Sequence, residues 1–341
     1  MTIQSDRFTA APALPDKAVL SVPKRSLAYR VQGVLQHVVW IWLAGLIVIF
    51  GLLNPFFLST PNLQNILVQA TVLGLLGLAQ SLVLLVGEID LSIAAATGIS
   101  SALGALAIQR LGLPVAFGVA LGIGVATLIG FINGLCVTKL KMVSLIESLG
   151  MMITLQGGLL AITQGNTLTD LPDSYNWIGQ ATVGGWPVMP LVLLLGFLAM
   201  GFTLRRTILG RSLYATGGNA AAALVAGIRV QRIKIIAFTL SGFICGVAGY
   251  LLAAWQMAIT SNQGDGFLLY AIAAPIIGGV SVFGGRGGTL GILGGVLLLT
   301  VIHVGLAIVY VPSFYVTMIG GVLIFIAVAV DALRVNVLGD G

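Results

Sequence analysis

The sequence is poor in charged residues, and this scarcity excludes an ordinary soluble domain. Charged residues make up 8% of the 341 residues, hydrophobic residues make up 58%, and the mean hydropathy is +1.09. Soluble domains are about 25% charged. We therefore predict an all-α, polytopic integral membrane protein.

Cysteine and histidine are also scarce. The two cysteines, Cys136 and Cys245, both lie in apolar runs, which predicts small buried side chains rather than a disulfide or redox pair. The two histidines form no cluster with cysteine, so we predict no metal site and no other cofactor.

Nucleotide-binding and catalytic motifs are missing from the sequence. No Gly-Lys dipeptide occurs, which excludes a Walker A loop. No nucleophile elbow or zinc signature occurs either, so an intramembrane enzyme lacks support. We therefore predict no enzyme activity and no catalytic residues in this chain.

Long apolar runs are abundant. About 20 apolar residues cross a bilayer as a helix, and ten runs approach that length. This predicts about ten transmembrane helices. The runs cover residues 38–53, 65–86, 89–109, 114–137, 142–163, 187–204, 235–256, 267–283, 289–310 and 314–332.

The basic residues indicate the orientation of these helices. With a cytoplasmic N-terminus, fifteen of the sixteen Lys and Arg residues fall inside and only Arg110 falls outside. Basic residues favour the cytoplasmic side of a membrane. We therefore expect a multi-pass protein of the cell (inner) membrane with both termini in the cytoplasm. The net charge of +6 then reflects membrane orientation and implies no nucleic-acid partner.

The composition divides the chain into three parts. Residues 1–35 are polar and contain proline, which predicts a disordered cytoplasmic tail. Residues 36–334 form the predicted membrane domain, and residues 335–341 form a second cytoplasmic tail.

Glycine is plentiful and repeats at helical spacing. Small residues four apart let helices pack closely in a membrane, and packing within one subunit is the favoured interpretation over a subunit interface. The stripes are Gly118/Gly122, Gly242/Gly246 and Gly287/Gly291/Gly295.

The most informative stretch is a basic, Gly-punctuated connector that we call the coupling segment, residues 207–234. Asn219 is a good N-cap, residues 220–226 are strong helix formers, and Gly227 is a typical helix stop. A short, small-faced helix at a membrane surface is suited to docking in a groove of another protein. The predicted docking residues are Arg211, Gly217, Gly218, Asn219, Ala222, Ala223 and Gly227.

Two short, Gly-containing connections interrupt the apolar runs. The first joint is residues 87–92, and the second joint is residues 278–288. They fall in opposite halves of the chain, and such discontinuities often flank the solute pathway of a transporter.

Few ionisable or polar residues lie at membrane depth, and each of these has two interpretations. Asp90 or Ser92 either caps the third helix or contacts solute. Glu147 either pairs with a nearby lysine at the interface or acts within the membrane. An isolated histidine is more often a hydrogen-bonded core residue. The pathway candidates are Glu88, Asp90, Ser92, Glu147 and His303.

Four segments resemble the permease subunits of ribose-type ABC transporters, in the order in which that family has them. The resemblance covers residues from about 60 to 332. The segments read LLVGEIDLSIAAATGISSALGA, INGLCVTKLKMVSLIESLGMMITLQGG, GRSLYATGGNAAAALVAGIRVQRIK and AIAAPIIGGVSVFGGRGGTLGILGG.

The resemblance implies a type II ABC importer-like permease that carries a sugar or similar small polar solute. It implies cytoplasmic ATPase subunits, a second permease that is identical or related, and a periplasmic or extracellular solute-binding protein. The connector at residues 219–227 would be the helix that couples to the ATPase. The chain departs from the family pattern at Glu88, Glu147 and His303, which leaves the solute open.

Two other transporter classes compete with this interpretation. A secondary transporter would couple to H⁺ or Na⁺ through buried carboxylates, and only Glu88, Asp90 and Glu147 are available. A channel would need a repeated selectivity element, which the sequence does not contain.

Overall fold

A computed structural model describes the backbone of residues 27–339, with side chains described for residues 38–322 and for some of residues 325–329. The helices are α1 (Leu27–Leu53), α2 (Thr60–Leu85), α3 (Ile93–Leu111), α4 (Val115–Lys139), α5 (Ser144–Thr163), α6 (Asp173–Gln180), α7 (Met189–Arg206), α8 (Ile208–Gly218), α9 (Ala220–Val225), α10 (Val230–Gln256), α11 (Leu268–Ile277), α12 (Thr289–Ile308) and α13 (Ser313–Gly339). Two 3₁₀ turns (Pro55–Leu58 and Asp265–Phe267) and a small hairpin of β1 (Thr182–Val183) and β2 (Trp186–Pro187) complete the described chain.

Each of the ten apolar runs contains a helix, which confirms an all-α polytopic protein. Within the described residues, six helices are long and apolar enough to span a bilayer, namely α2, α4, α5, α7, α10 and α12. Shorter apolar helices cover Val38–Leu53, Asp265–Ile277 and Ser313–Val322. Ten complete spans therefore remain a prediction.

One predicted span is wrong as a continuous helix. The run at residues 267–283 divides into α11, which ends at Ile277, and an irregular turn. The helix stops because Gly279 adopts a left-handed φ of 88°. Ten residues of α-helix rise only about 15 Å, half of the hydrocarbon core.

Helices α1 and α13 extend into the two segments that the sequence predicts as tails. Helix α1 already begins at Leu27, because no proline interrupts the sequence between residues 24 and 54. At the other end, α13 continues to Gly339. The rest of the predicted tails, residues 1–26 and 340–341, lies outside the described residues.

Helix α2 lies at the centre of the bundle, and almost all of its second half is buried. It packs against α10, α7, α11 and α12, while α10 packs most extensively against α4. Helices α5 and α7 carry many exposed apolar side chains. Exposed apolar helix faces suit contact with lipid or with another membrane subunit.

The glycine stripes serve packing within this subunit, as predicted. A Cβ on Gly122 of α4 would lie 2.6 Å from the Ser100 carbonyl oxygen of α3. A Cβ on Gly242 of α10 would overlap the Ala126 carbonyl oxygen of α4. Gly287 is an exception, because it lies before α12 with a φ of 149°.

Candidate coupling and transport site

The first joint is held by side chains from a neighbouring helix. Gly87 turns the chain after α2 with a φ of 76°. On α5, the Ser144 hydroxyl accepts from the Ile89 amide at 3.3 Å, and the Ser148 hydroxyl accepts from the Leu91 amide at 3.0 Å. Two serines four residues apart share a helix face, so α5 satisfies the backbone of this buried turn.

Asp90 fixes the end of the joint but does not cap α3 in the predicted way. Its Oδ1 accepts from the Ser92 amide at 2.8 Å and from the Ser92 hydroxyl at 2.6 Å. Ser92 occupies the N-cap position, yet its side chain makes no cap hydrogen bond. The carboxylate therefore closes a local turn, and the predicted cap on the first-turn amides of α3 is not formed.

Asn133 of α4 extends this cluster toward α5. In one amide orientation its Nδ2 donates to Ser92 Oγ at 2.8 Å. In the other, its oxygen accepts from Ser92 Oγ, and its nitrogen donates to the Ile129 carbonyl and to Glu147 Oε1, each at 3.2 Å. Ser92 has one hydroxyl proton. The hydroxyl therefore donates to Asp90 in the first arrangement and to Asn133 in the second.

The electrostatics of the cluster follow from its burial. Asp90 is 2% exposed, so its carboxyl group is held away from water and depends on Ser92 for its hydrogen bonds. A proton on Asp90 would let it donate to Ser92 Oγ and would favour the arrangement in which Asn133 reaches Glu147. Only in that arrangement would the four side chains form one hydrogen-bonded chain from the first joint to α5.

The lysine partner predicted for Glu147 is wrong. Glu147 is 6% exposed and points at Asn133, and its Oε2 has no partner among the described residues. The ion pair within the described chain instead joins Glu88 to Lys234 at the start of α10. Glu147 faces inward because it lies on the face of α5 that also carries Ser144 and Ser148.

We expect the side chain of Asp90 to be structural. Asp90→Asn keeps an oxygen that accepts from Ser92, so the protein should unfold at nearly the wild-type temperature. Asp90→Leu removes both hydrogen bonds and leaves a buried amide unpaired, which should cost about 1–3 kcal/mol of unfolding free energy. Thermal unfolding of the detergent-purified protein measures this difference. Loss of transport in both variants, with unchanged stability in both, would instead make the carboxylate part of the transport pathway.

The two joints, which lie far apart in sequence, meet in the structure. The Gly285 amide of the second joint donates to the Leu85 carbonyl at the end of α2, at 3.0 Å. A Cβ on Gly284 would lie 2.8 Å from the Gly87 nitrogen and 2.9 Å from the Gly217 carbonyl oxygen. The first joint, the second joint and the end of α8 therefore share one close contact.

Helix α8 is tied to this contact by a side chain as well. The Tyr214 hydroxyl donates to the Gly287 carbonyl at 2.8 Å. Burial raises the pKa of Tyr214, which keeps the hydroxyl protonated and able to donate. Gly217 packs so tightly that a Cβ would overlap the Leu85 carbonyl oxygen. A displacement of α8 must therefore move both joints or break these contacts.

The short helix predicted after Asn219 is confirmed. The Ala222 amide donates to Asn219 Oδ1 at 2.9 Å, which caps α9. Gly227 ends the helix with a φ of 83°, and the Ile228 amide donates to the Ala223 carbonyl at 2.9 Å. The coupling segment thus contains a helix with defined ends.

The exposed face of α9 differs from the face that the sequence predicts for docking. Ala223 is 4% exposed and is buried against its own chain, so it cannot enter a groove of another protein. Leu224 and Val225, which are not among the predicted docking residues, are 65% and 91% exposed. With Ala222, which is also exposed, they give the helix a larger apolar tip than alanine alone.

The remaining predicted docking residues lie on α8 and differ in their surroundings. Gly218 lies in the last turn of α8 without a positive φ, so its backbone conformation does not require glycine. Its neighbour Gly217 needs glycine for space instead. Arg211 lies exposed on α8.

His303 lies apart from the other pathway candidates. It is 14 residues into α12, about 21 Å along the axis from the second joint. It is exposed and meets Tyr270 edge to face with ring centroids 6.1 Å apart, so the predicted buried core histidine is wrong. It lines two adjoining cavities of about 230 and 380 Å³.

Comparison with known proteins identifies the family of this chain. Residues 62–328 match the family described as branched-chain amino acid transport system / permease component. The chain belongs to this permease family. It has no P-loop of its own, as suits a permease.

The sequences of individual permeases align with most of the chain. The chain is 37% identical over 288 residues to the ribose import permease protein RbsC of Bacillus subtilis. The aligned region covers 84% of this chain and 89% of that protein. It is 35% identical over 296 residues to the fructose import permease protein FrcC of Rhizobium meliloti, with 84% and 82% covered. It is 32% identical over 295 residues to the L-arabinose ABC transporter permease protein AraH of Azospirillum brasilense, with 85% and 86% covered.

Proposed function

We propose that this chain is the membrane-spanning permease subunit of an ABC importer for a sugar or a similar small polar solute. The observation that carries the proposal is the capped helix α9, with its exposed apolar tip, joined through α8 to both joints. The similarity to permeases named for ribose, fructose and arabinose supports a sugar as the solute. The chain itself is not the ATPase, because it has no nucleotide-binding motif.

The coupling mechanism follows from the contacts of α8. In this proposal the tip formed by Leu224 and Val225 docks in a groove of a cytoplasmic ATPase subunit. When the ATPase closes, α9 and α8 shift as one body. Gly217 and Tyr214 then displace the two joints, which connect α2 to α3 and α11 to α12. The helices that flank the joints rearrange, and the pathway opens to one side at a time.

The partners follow from the same proposal. Two permeases form the pore, either two copies of this chain or this chain with a related one. Cytoplasmic ATPase subunits supply the energy, and a periplasmic or extracellular binding protein delivers the solute. Co-purification tests this assembly: the tagged permease should retain an ATPase with a P-loop that is encoded beside it, and failure to form any complex would contradict the proposal.

We further propose ten membrane crossings in an inner membrane, with both termini and the coupling segment in the cytoplasm. The charge distribution supports this topology, since Arg110 is the single basic residue that it places outside. Helices α11 and α13 would each be one of the ten, with the second joint completing the crossing of α11.

The topology predicts which positions are reachable from each side. In a background without Cys136 and Cys245, a cysteine at Asp170 should react with a charged thiol reagent from outside intact cells. A cysteine at Arg229 should react only after the inner face is made accessible. The reverse pattern would overturn the orientation.

A further inference from the structure

A cavity of about 230 Å³ lies between α2, α11, α12 and the turn Asp265–Phe267. At about 30 Å³ for each water molecule, it has room for about seven waters or for one small solute. Its lining residues lie at the middle of α2, at the start of α11 and in the second half of α12, which the proposed topology places between the centre of the membrane and the outer face. Polar groups at membrane depth mark solute pathways.

The lining combines hydrogen-bonding groups with aromatic rings. Gln69, Thr300 and His303 supply polar atoms, and Phe267 and Tyr270 supply rings. Neither the Tyr270 hydroxyl nor the His303 ring has a hydrogen-bond partner in the part of the chain whose side chains are described. Thr300 donates to the Val296 carbonyl at 2.8 Å, and so its oxygen can still accept.

The charge of the lining restricts the chemistry of an occupant. Among the described residues that line this cavity, none is Lys, Arg, Asp or Glu. A carboxylate or phosphate would therefore lose its hydration without gaining a countercharge, which is costly. A neutral ring with hydroxyl groups on its edge and C–H groups on its face matches both the polar atoms and the aromatic rings.

We propose that this cavity binds a single neutral sugar ring during transport, with His303, Thr300 and Tyr270 as its main polar contacts. The proposal rests on the proposed function and adds a site within one permease subunit. His303 faces both this cavity and the neighbouring cavity of about 380 Å³ that Tyr310, Ser313 and Thr317 help to line. It therefore stands where a solute would pass from one to the other.

Cysteine protection tests the site without depending on ATP. In a background without Cys136 and Cys245, His303→Cys should react with a charged methanethiosulfonate reagent. Saturating D-ribose, L-arabinose or D-fructose, whichever the wild-type protein transports, should slow that reaction several-fold. Val183→Cys, on the exposed hairpin, should react at a rate that no sugar changes. Reaction of His303→Cys only with a lipid-soluble reagent would place this face against lipid and overturn the proposal.

A matched pair of threonine variants tests the contact in transport. Thr300 and Thr163 are both 3% exposed, and both donate to the carbonyl four residues earlier at 2.8 Å. Thr300→Val should lower sugar uptake about three- to tenfold, the range expected for one lost hydrogen bond. Thr163→Val, outside the cavity, should leave uptake unchanged.

The outcomes separate the site from the proposed function. Uptake by the wild-type protein, without protection of His303→Cys by the transported sugar, would overturn the cavity site and leave the importer function intact. Protection of His303→Cys by one of the three sugars, without ATP-driven uptake of any of them, would support the cavity site and contradict the importer function. Equal uptake by the two threonine variants would also count against the site.

Discussion

Gly217→Ala is expected to reduce ATP-driven uptake at least tenfold, while Gly218→Ala leaves it near the wild-type rate. A Cβ on Gly217 would overlap the Leu85 carbonyl oxygen and lie 2.6 Å from the Gly285 nitrogen. Backbone atoms cannot turn aside as a side chain can, so α8 must move away from both joints. Overpacking of this kind costs about 1–3 kcal/mol.

Gly218 provides the matched control in the next position of the same helix. A Cβ there would meet nothing closer than the Gly285 Cα at 4.0 Å. Alanine is the better helix former, so Gly218→Ala should be neutral or slightly stabilising. Proteoliposome uptake and thermal unfolding of both variants measure the difference. Equal uptake by the two would show that the contact between α8 and the joints does not transmit motion.

Val225→Arg is expected to weaken recruitment of the ATPase at least a hundredfold without destabilising the permease. The side chain is 91% exposed in this subunit, so arginine has room there before assembly. In a docked groove the added charge would be desolvated without a partner, and burying an unpaired charge costs several kcal/mol. Co-purification of the ATPase and the unfolding temperature of the isolated permease measure the two effects.

Val183→Arg is the control, because Val183 is 69% exposed on the small hairpin, which the proposed topology places outside. It should recruit the ATPase normally. Ala223→Arg is a poor probe by comparison, since Ala223 is buried and a large side chain would disturb the permease itself. Normal ATPase recruitment by Val225→Arg would remove α9 as the docking element.

The local structure of the coupling segment could be predicted from its sequence because it depends on short-range chemistry. Asn219 and Gly227 define the ends of α9 through a side-chain cap and a left-handed backbone, and both effects act within a few residues. The face that α9 exposes could not be predicted, because burial of Ala223 depends on how α9 lies on its neighbours. Residues with no polar or turn-forming signal, such as Val225, were missed for that reason.

The polar side chains around the first joint likewise could be predicted only in part. Asp90 and Ser92 stood out because they are polar within an apolar region. Asn133, Ser144 and Ser148 are equally polar for their surroundings, and the spacing of the two serines was a usable signal that was overlooked. That the first joint meets the second could not be derived, since almost two hundred residues separate Gly87 from Gly284. Glycine marked both turns, but only the fold brings them together.

ATP-driven uptake in reconstituted vesicles tests the central claim most directly. The permease is reconstituted with its ATPase, and uptake of labelled D-ribose, L-arabinose and D-fructose is measured with the binding protein present. Uptake should require ATP on the ATPase side, should stop when hydrolysis is blocked, and should be lost with Val225→Arg. Uptake that persists without ATP and follows a proton or sodium gradient alone would contradict the account.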